Sequence, residues 1–371
     1  MRNKHFYLNF MAIAMCLMLF SCKKNAKLAT EPENTELSSK SLTATTEAVC
    51  TAKGWASQNG GTTGGGEAGA TVVTNYTALK SAIQNTSIKM IQVNGTITIP
   101  SGGRISFQDQ TGKTIFGSSG AKIVSADQTK DNSGILYLKR CNNIIIRNLI
   151  FEGPGAYDVD GWDSVTLDAS NNVWVDHCEF RDGVDGNFDI KNTSDYITVS
   201  YCKFTYLKTP RAGGPGGSDD HRFSDLIGSS DSATADRGHF RITFVRCWWA
   251  QGCVARMPRV RFGKLHIVNN YFNSTVSKNC VQAGFEANIL IESNVFENVK
   301  IPIDLMSNTA TAVQEKNNIF TAVTGNKTGN GVTAFTVPYS LTVLNASNVK
   351  STVTASTGAG ATLSGNSCTS L

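Results

Sequence analysis

Three guanidiniums fall within six residues in the stretch Arg256-Met257-Pro258-Arg259-Val260-Arg261. Proline fixes its own φ and biases the residue before it away from the helical region. The stretch therefore predicts a stiff, extended segment, which leads into a strand over Lys264–Val268 and an Asn269-Asn270 turn. A guanidinium held at a strand end is a planar fork of donors matched to carboxylates. Taken alone, such a cluster fits a solvated basic strand equally well. What separates the two readings lies upstream, where Asp163, Asp185 and Asp189 each stand at or just before a short β-like run. Carboxylates brought together on neighbouring elements repel one another unless a cation lies between them. Hard oxygen donors without Cys or His suit calcium. The spacing is not that of an EF-hand, and Asp158, Asp160 and Asp182 read as ordinary turn residues.

Residues so far apart in sequence need a scaffold that stacks them, and the sequence carries one. Strand-like runs recur, each closing on a Cys or Asn followed two residues later by an aromatic: Cys178/Phe180, Cys202/Phe204, Cys247/Trp249, Asn270/Phe272, Asn294/Phe296 and Asn318/Phe320. Successive steps between the Cys/Asn positions are 24, 45, 23, 24 and 24 residues. A fixed short period without helical periodicity predicts an all-β solenoid, a parallel β-helix in one domain over residues 50–371. Equivalent residues of adjacent coils would lie about 4.8 Å apart. Asn270, Asn294 and Asn318 are then placed to hydrogen-bond up the stack, with the aromatics stacked inside and Cys178, Cys202 and Cys247 buried in the same row. The step of 45 contains roughly 21 extra residues, divided between 209–221 and 229–238. Insertions in solenoids become loops on one face, often the binding face. His177 and His266 are read as structural, each in a coil turn. Thr62–Glu67 is Gly-rich but lacks the Lys-Ser/Thr ending of a phosphate loop, and reads as a turn.

Composition narrows the function. The chain has 371 residues, a formal charge of +5 and 34 glycines, and no nucleic-acid-binding module. Mild positive charge favours an acidic partner. Residues 1–21 have a basic start at Arg2 and Lys4 and an apolar run from Phe6 to Phe20, too short to span a bilayer. The ending Leu19-Phe20-Ser21-Cys22 resembles a bacterial lipobox, so a lipid on Cys22 is expected, with an ordinary secretory signal as the alternative. The mature chain is thus expected outside the cytoplasm, secreted or anchored at the bacterial envelope, at the outer membrane. Residues 22–49, rich in Thr, Ser, Ala and Glu, read as a disordered tether. Export permits disulfides. Cys253 and Cys280, at matching points of adjacent coils, are candidates for one.

The motifs taken together carry a resemblance. Val173-Trp174-Val175-Asp176-His177, then Asp185-x-x-x-Asp189-Ile190-Lys191, Lys208, Arg256-x-Pro258-x-x-Arg261-x-Gly263, His266 and Asn269-Asn270 resemble a pectate lyase of polysaccharide lyase family 1. The order and spacing match from about residue 70 to about 340. The resemblance implies a right-handed parallel β-helix and calcium at Asp163, Asp185 and Asp189. It also implies Arg256 as the catalytic base, and Lys208 and Arg261 as holders of the substrate carboxylate. The expected reaction is calcium-dependent β-elimination on polygalacturonate by a monomer. Two departures stand out: a longer segment after Lys208, and no arginine at Gln282–Gly284, where some members carry a further substrate arginine. Three rivals share the architecture. A pectin lyase, acting on methyl-esterified polymer without calcium, has no use for the three aspartates. A glycan-binding β-helix without catalysis has no use for the calcium–arginine constellation. A glycoside hydrolase would need an acid–base carboxylate pair and no arginine pair.

Overall fold

The computed structural model describes residues 50–307, 312–368 and 371. The signal segment, Cys22 and the tether lie outside the described residues. Among the described residues the chain winds through three parallel sheets of ten, eight and nine strands, and each coil gives one strand to each sheet in turn. The fold is a right-handed parallel β-helix, as the period predicts. The strands are short because each must turn a corner. The ladder Lys264–Val268 against Asn288–Glu292 pairs residue for residue at a separation of 24.

The Cys/Asn row sits at one of these corners. The residue before each row position adopts a left-handed φ: His177 +47°, Tyr201 +47°, Arg246 +55°, Asn269 +55°, Ser293 +53° and Asn317 +56°. That conformation costs an L-residue about 1–2 kcal/mol, so each corner needs a compensating contact. The asparagines supply it. Asn270 donates to the Asn294 side-chain oxygen at 3.0 Å and Asn294 to that of Asn318 at 3.0 Å, while the Cys247 amide donates to Asn270 at 2.7 Å. Toward the N-terminus the row changes to Cys178, Cys202 and Cys247, all fully buried, with thiols packed against backbone carbonyls of the preceding coil. The aromatics two residues later form one column. Phe151, Phe180, Phe204, Trp249, Phe272, Phe296 and Phe320 stack with neighbouring centroids 4.4–5.3 Å apart and near-parallel planes. Each fully buried ring is worth about 1.5–3 kcal/mol relative to exposure.

Several expectations need correction. Cys253 and Cys280 are free and buried. The bridge is instead Cys50–Cys368, with a Cα–Cα distance of 5.8 Å. His177 is in a turn, but His266 lies inside the strand Lys264–Val268, between the Tyr339 hydroxyl at 3.1 Å and Glu292 at 3.2 Å. Two helices escaped the sequence reading, Tyr76–Gln84, capped by Asn75, and Ala346–Val353, capped by Asn345.

Both ends of the described chain lie back across the ten-stranded sheet. From Trp55 to Gly65 the backbone amides donate in turn to Thr243, Thr198, Asn143 and Thr114, while Asn172 donates to Gln58, so the segment crosses the coils in reverse order. The C-terminal segment also runs backwards, through Phe335 on Asn288, Leu344 on Asn269 and Leu363 on Asn148. The disulfide joins the two straps.

Candidate active site

The site lies on the eight-stranded sheet, where Thr166, Asp189, Leu226, Arg259, Gln282 and Asp304 stand in register on six successive coils. One row of outward side chains thus carries an acid, a guanidinium and an amide along the stack. Asp163 precedes the strand Val165–Asp168 and Asp189 lies in Phe188–Lys191. Together with Asp185 they line a cavity of about 350 Å³, alongside Lys130, Trp162 and Lys191.

The electrostatics show how poorly these acids tolerate one another. The carboxyl of Asp163 is raised well above its ordinary value, first by burial and then by the charges of Asp189 and Asp185. That of Asp189 is pushed up to about 7 by burial, which outweighs the opposing pull of Arg256, with Asp185 raising it further. One Asp189 oxygen is occupied by the Leu226 amide at 2.9 Å. Three crowded carboxylates with oxygen donors only, two of them destabilised as anions, fit a hard divalent cation.

The insertions supply residues to which sequence reasoning gave no role. His221, at the end of the first, is buried, with Nε2 2.9 Å from Asp185 Oδ1 and Nδ1 3.3 Å from Asp158 Oδ1. Asp158 is therefore more than a turn residue: it anchors the inserted loop, accepting also from the Ser218 amide at 2.7 Å. These three side chains bring possible ligand atoms within 4.8 Å of one another. Because this group includes a nitrogen donor, a hard cation would be better held by Asp163, Asp185 and Asp189, with His221 orienting Asp185. Asp182 keeps its turn role, with a φ of +54° and Oδ1 accepting from the amides of Leu207 and Lys208.

The arginine segment differs from its expected form. Arg256 is not extended: its φ is +56°, and the Met257–Pro258 peptide is cis. The backbone is held on both sides, the Arg256 amide donating to Gln282 Oε1 at 3.0 Å and its carbonyl accepting from the Asp225 amide at 2.7 Å. Asp225 is fully buried and accepts from the Trp249 indole at 2.6 Å, which ties this segment to the aromatic column. Gln282, in the 282–284 stretch that carries no arginine here, thus holds the Arg256 backbone. The Arg256 guanidinium is half-buried, 4.7 Å over the ring of Phe223. Arg259 has its pKa lowered by burial first, then by Arg261 and Arg256, so the three guanidiniums form one positive field. Arg261 is buried and already paired, its Nε donating to Asp231 at 2.6 Å and its Nη1 to the Gly228 carbonyl at 2.8 Å.

Lys208 stands apart. Its Nζ donates to the Gly153 carbonyl at 2.6 Å and lies 3.7 Å from Glu152. The structure thus brings together Asp163, Asp185 and Asp189, with the charge of Arg256 acting on Asp189 and the three arginines acting on one another. It does not bring Lys208 into contact with them.

A solenoid carrying an acidic cavity beside a row of arginines is the arrangement of a β-helical enzyme for anionic polysaccharides. The pectate lyase family model matches residues 34–362. A pectate trisaccharide-lyase of Bacillus licheniformis is 37% identical over 325 residues, covering 83% of this chain and 86% of that protein. A probable pectate lyase B of Aspergillus terreus is 32% identical over 281 residues, covering 74% and 77%. Among solved structures, a pectate lyase from Paenibacillus sp. 0602 superposes with a TM-score of 0.67 at 21% identity, covering 86% of this chain and 97% of that one, a likeness of fold. The chain belongs to the pectate lyase family, and is a polysaccharide lyase.

Proposed function

We propose that the protein cleaves polygalacturonate, the demethylated form of pectin, by calcium-dependent β-elimination, leaving 4,5-unsaturated oligogalacturonates. The observation that carries this reading is the juxtaposition of three mutually destabilised carboxylates with a field of guanidiniums on one face of the coils. Calcium bound at Asp163, Asp185 and Asp189 would neutralise the substrate carboxylate and so make the adjacent C5 proton more acidic. Arg256, fixed at both its amide and its carbonyl, is the group assigned to take that proton. Arg261 is assigned to the substrate carboxylate, and its burial makes a charge-assisted hydrogen bond stronger there than in water. Lys208 is assigned a second carboxylate contact, reached by releasing the Gly153 carbonyl. Proton abstraction by a side chain of this kind is expected to make the rate climb toward alkaline pH.

The deciding experiment follows the ultraviolet absorbance of the conjugated double bond on polygalacturonate, with and without a calcium chelator. Only elimination creates that chromophore. Absorbance that rises with calcium and stops with chelator is the expected result. A chelator-insensitive rise on esterified polymer would favour the pectin lyase reading, and reducing ends appearing without absorbance would favour hydrolysis.

Export belongs to the same proposal. The Cys50–Cys368 bridge fits an oxidising compartment, and the sequence of residues 1–22 reads as a lipoprotein-type signal with an anchor on Cys22. A fatty-acid analogue should label the wild type and not Cys22→Ala. Equal labelling of both would remove the anchor.

A further inference from the structure

The second insertion meets the arginine row at one point. Asp231 Oδ1 accepts from Arg261 Nε at 2.6 Å, and its side chain is 56% exposed while that of Arg261 is 11% exposed. Among the described residues no carboxylate lies within 4.0 Å of Arg256 or Arg259. Among the described residues, the acid ion-paired with these arginines is thus carried on a loop outside the repeating coil. Arg261 does not depend on it for position, because the Gly228 carbonyl holds a second nitrogen of the same guanidinium at 2.8 Å. A half-exposed ion pair is cheap to open. An arriving galacturonate carboxylate and Asp231 compete for the same donor, whereas a methyl ester, having no charge, gains little by displacing Asp231.

We propose that Asp231 stands in for the substrate carboxylate at Arg261 and thereby sets the charge preference of that subsite, handicapping a fully ionised sugar and sparing an esterified one. This rests on the reading of Arg261 as a holder of the substrate carboxylate. Polygalacturonate remains the substrate, and partly methyl-esterified pectin is penalised less at this subsite than it would be against an unpaired Arg261. The inserted loop, and not the coil, carries this specificity.

The test measures KM and kcat for wild type, Asp231→Asn, Arg261→Gln and the double variant, on polygalacturonate and on half-esterified pectin. Asp231→Asn should lower KM on polygalacturonate by about 2- to 5-fold, the range an exposed ion pair can supply. Its kcat and its KM on the esterified polymer should hold. In the Arg261→Gln background the same change should do nothing. An unchanged KM ratio in Asp231→Asn, beside a raised KM in Arg261→Gln, overturns the role of Asp231 and leaves Arg261 in place. If Arg261→Gln leaves KM unchanged, the Arg261 reading falls and the proposal with it. Asp231→Ser repeats the test without a side-chain carbonyl able to accept from Arg261 in its own right.

Discussion

Arg256→Lys is expected to lower kcat by about 10²-fold or more, the usual worth of a positioned base, with KM on polygalacturonate changed far less. Lysine keeps the charge but replaces a planar, five-donor group by a point charge on a flexible stem. The substitution is clean because the backbone does not rely on the side chain. The left-handed φ of Arg256 is held by Gln282 on the amide and by the Asp225 amide on the carbonyl, both of which remain in the variant. Arg261→Lys is the comparison. It removes a fork from a residue assigned to ground-state binding and should act mainly on KM. Steady-state kinetics on both variants decide the matter. A folded, saturable Arg256→Lys enzyme with near-normal kcat would take Arg256 out of the mechanism.

The second large effect concerns the acids. Asp185→Ala or Asp189→Ala should raise the calcium concentration for half-maximal activity by at least about 10-fold, since each removes one of three assigned ligands from a site that relies on accumulated charge. The fold should persist, because both side chains line the cavity and neither belongs to the packed column. Asp189 has a further signature without metal. A carboxyl raised to about 7 by burial contributes stability that is fully present below the ordinary 3.8 and is lost as pH rises through about 7. In chelator, the wild-type Tm should therefore fall between about pH 4 and pH 7 and level off above that, and Asp189→Ala should flatten that fall. An unchanged calcium response together with an unchanged pH slope would remove Asp189 from the site.

Much of this molecule was legible in the sequence because a solenoid writes its period directly. The aromatic column and the Asn270–Asn294–Asn318 ladder follow from spacing alone, and so did the grouping of Asp163, Asp185 and Asp189 on adjacent coils. What spacing does not encode is where irregular segments travel. His221 reaches Asp158 and Asp185, and Asp231 reaches Arg261, through loops whose paths are set by tertiary contacts. Pro258 predicted a stiff segment, but the left-handed turn at Arg256 depends on Gln282 and Asp225, one on the following coil and one on the preceding coil. The Cys253–Cys280 pairing failed for a related reason: the ladder pairs Arg259 with Gln282, which sets Cys280 beside Met257, whose amide donates to its carbonyl at 2.9 Å, and not beside Cys253. The partner of Cys50 lay 318 residues away in a strap with no repeat to register it.

A solenoid held only by nearest-neighbour contacts can fray one coil at a time from either end. Here the two straps tie distant coils to one another, and their bridge closes the backbone between Cys50 and Cys368 into a covalent ring. Opening an end coil then requires stripping the straps from the coils they cross, so local fraying gives way to cooperative loss of the whole stack. The ring also changes what a single backbone cut does to the molecule. A cut in the exposed 211–217 loop, beside the site, opens the ring without releasing a piece, and the two halves stay paired through every sheet.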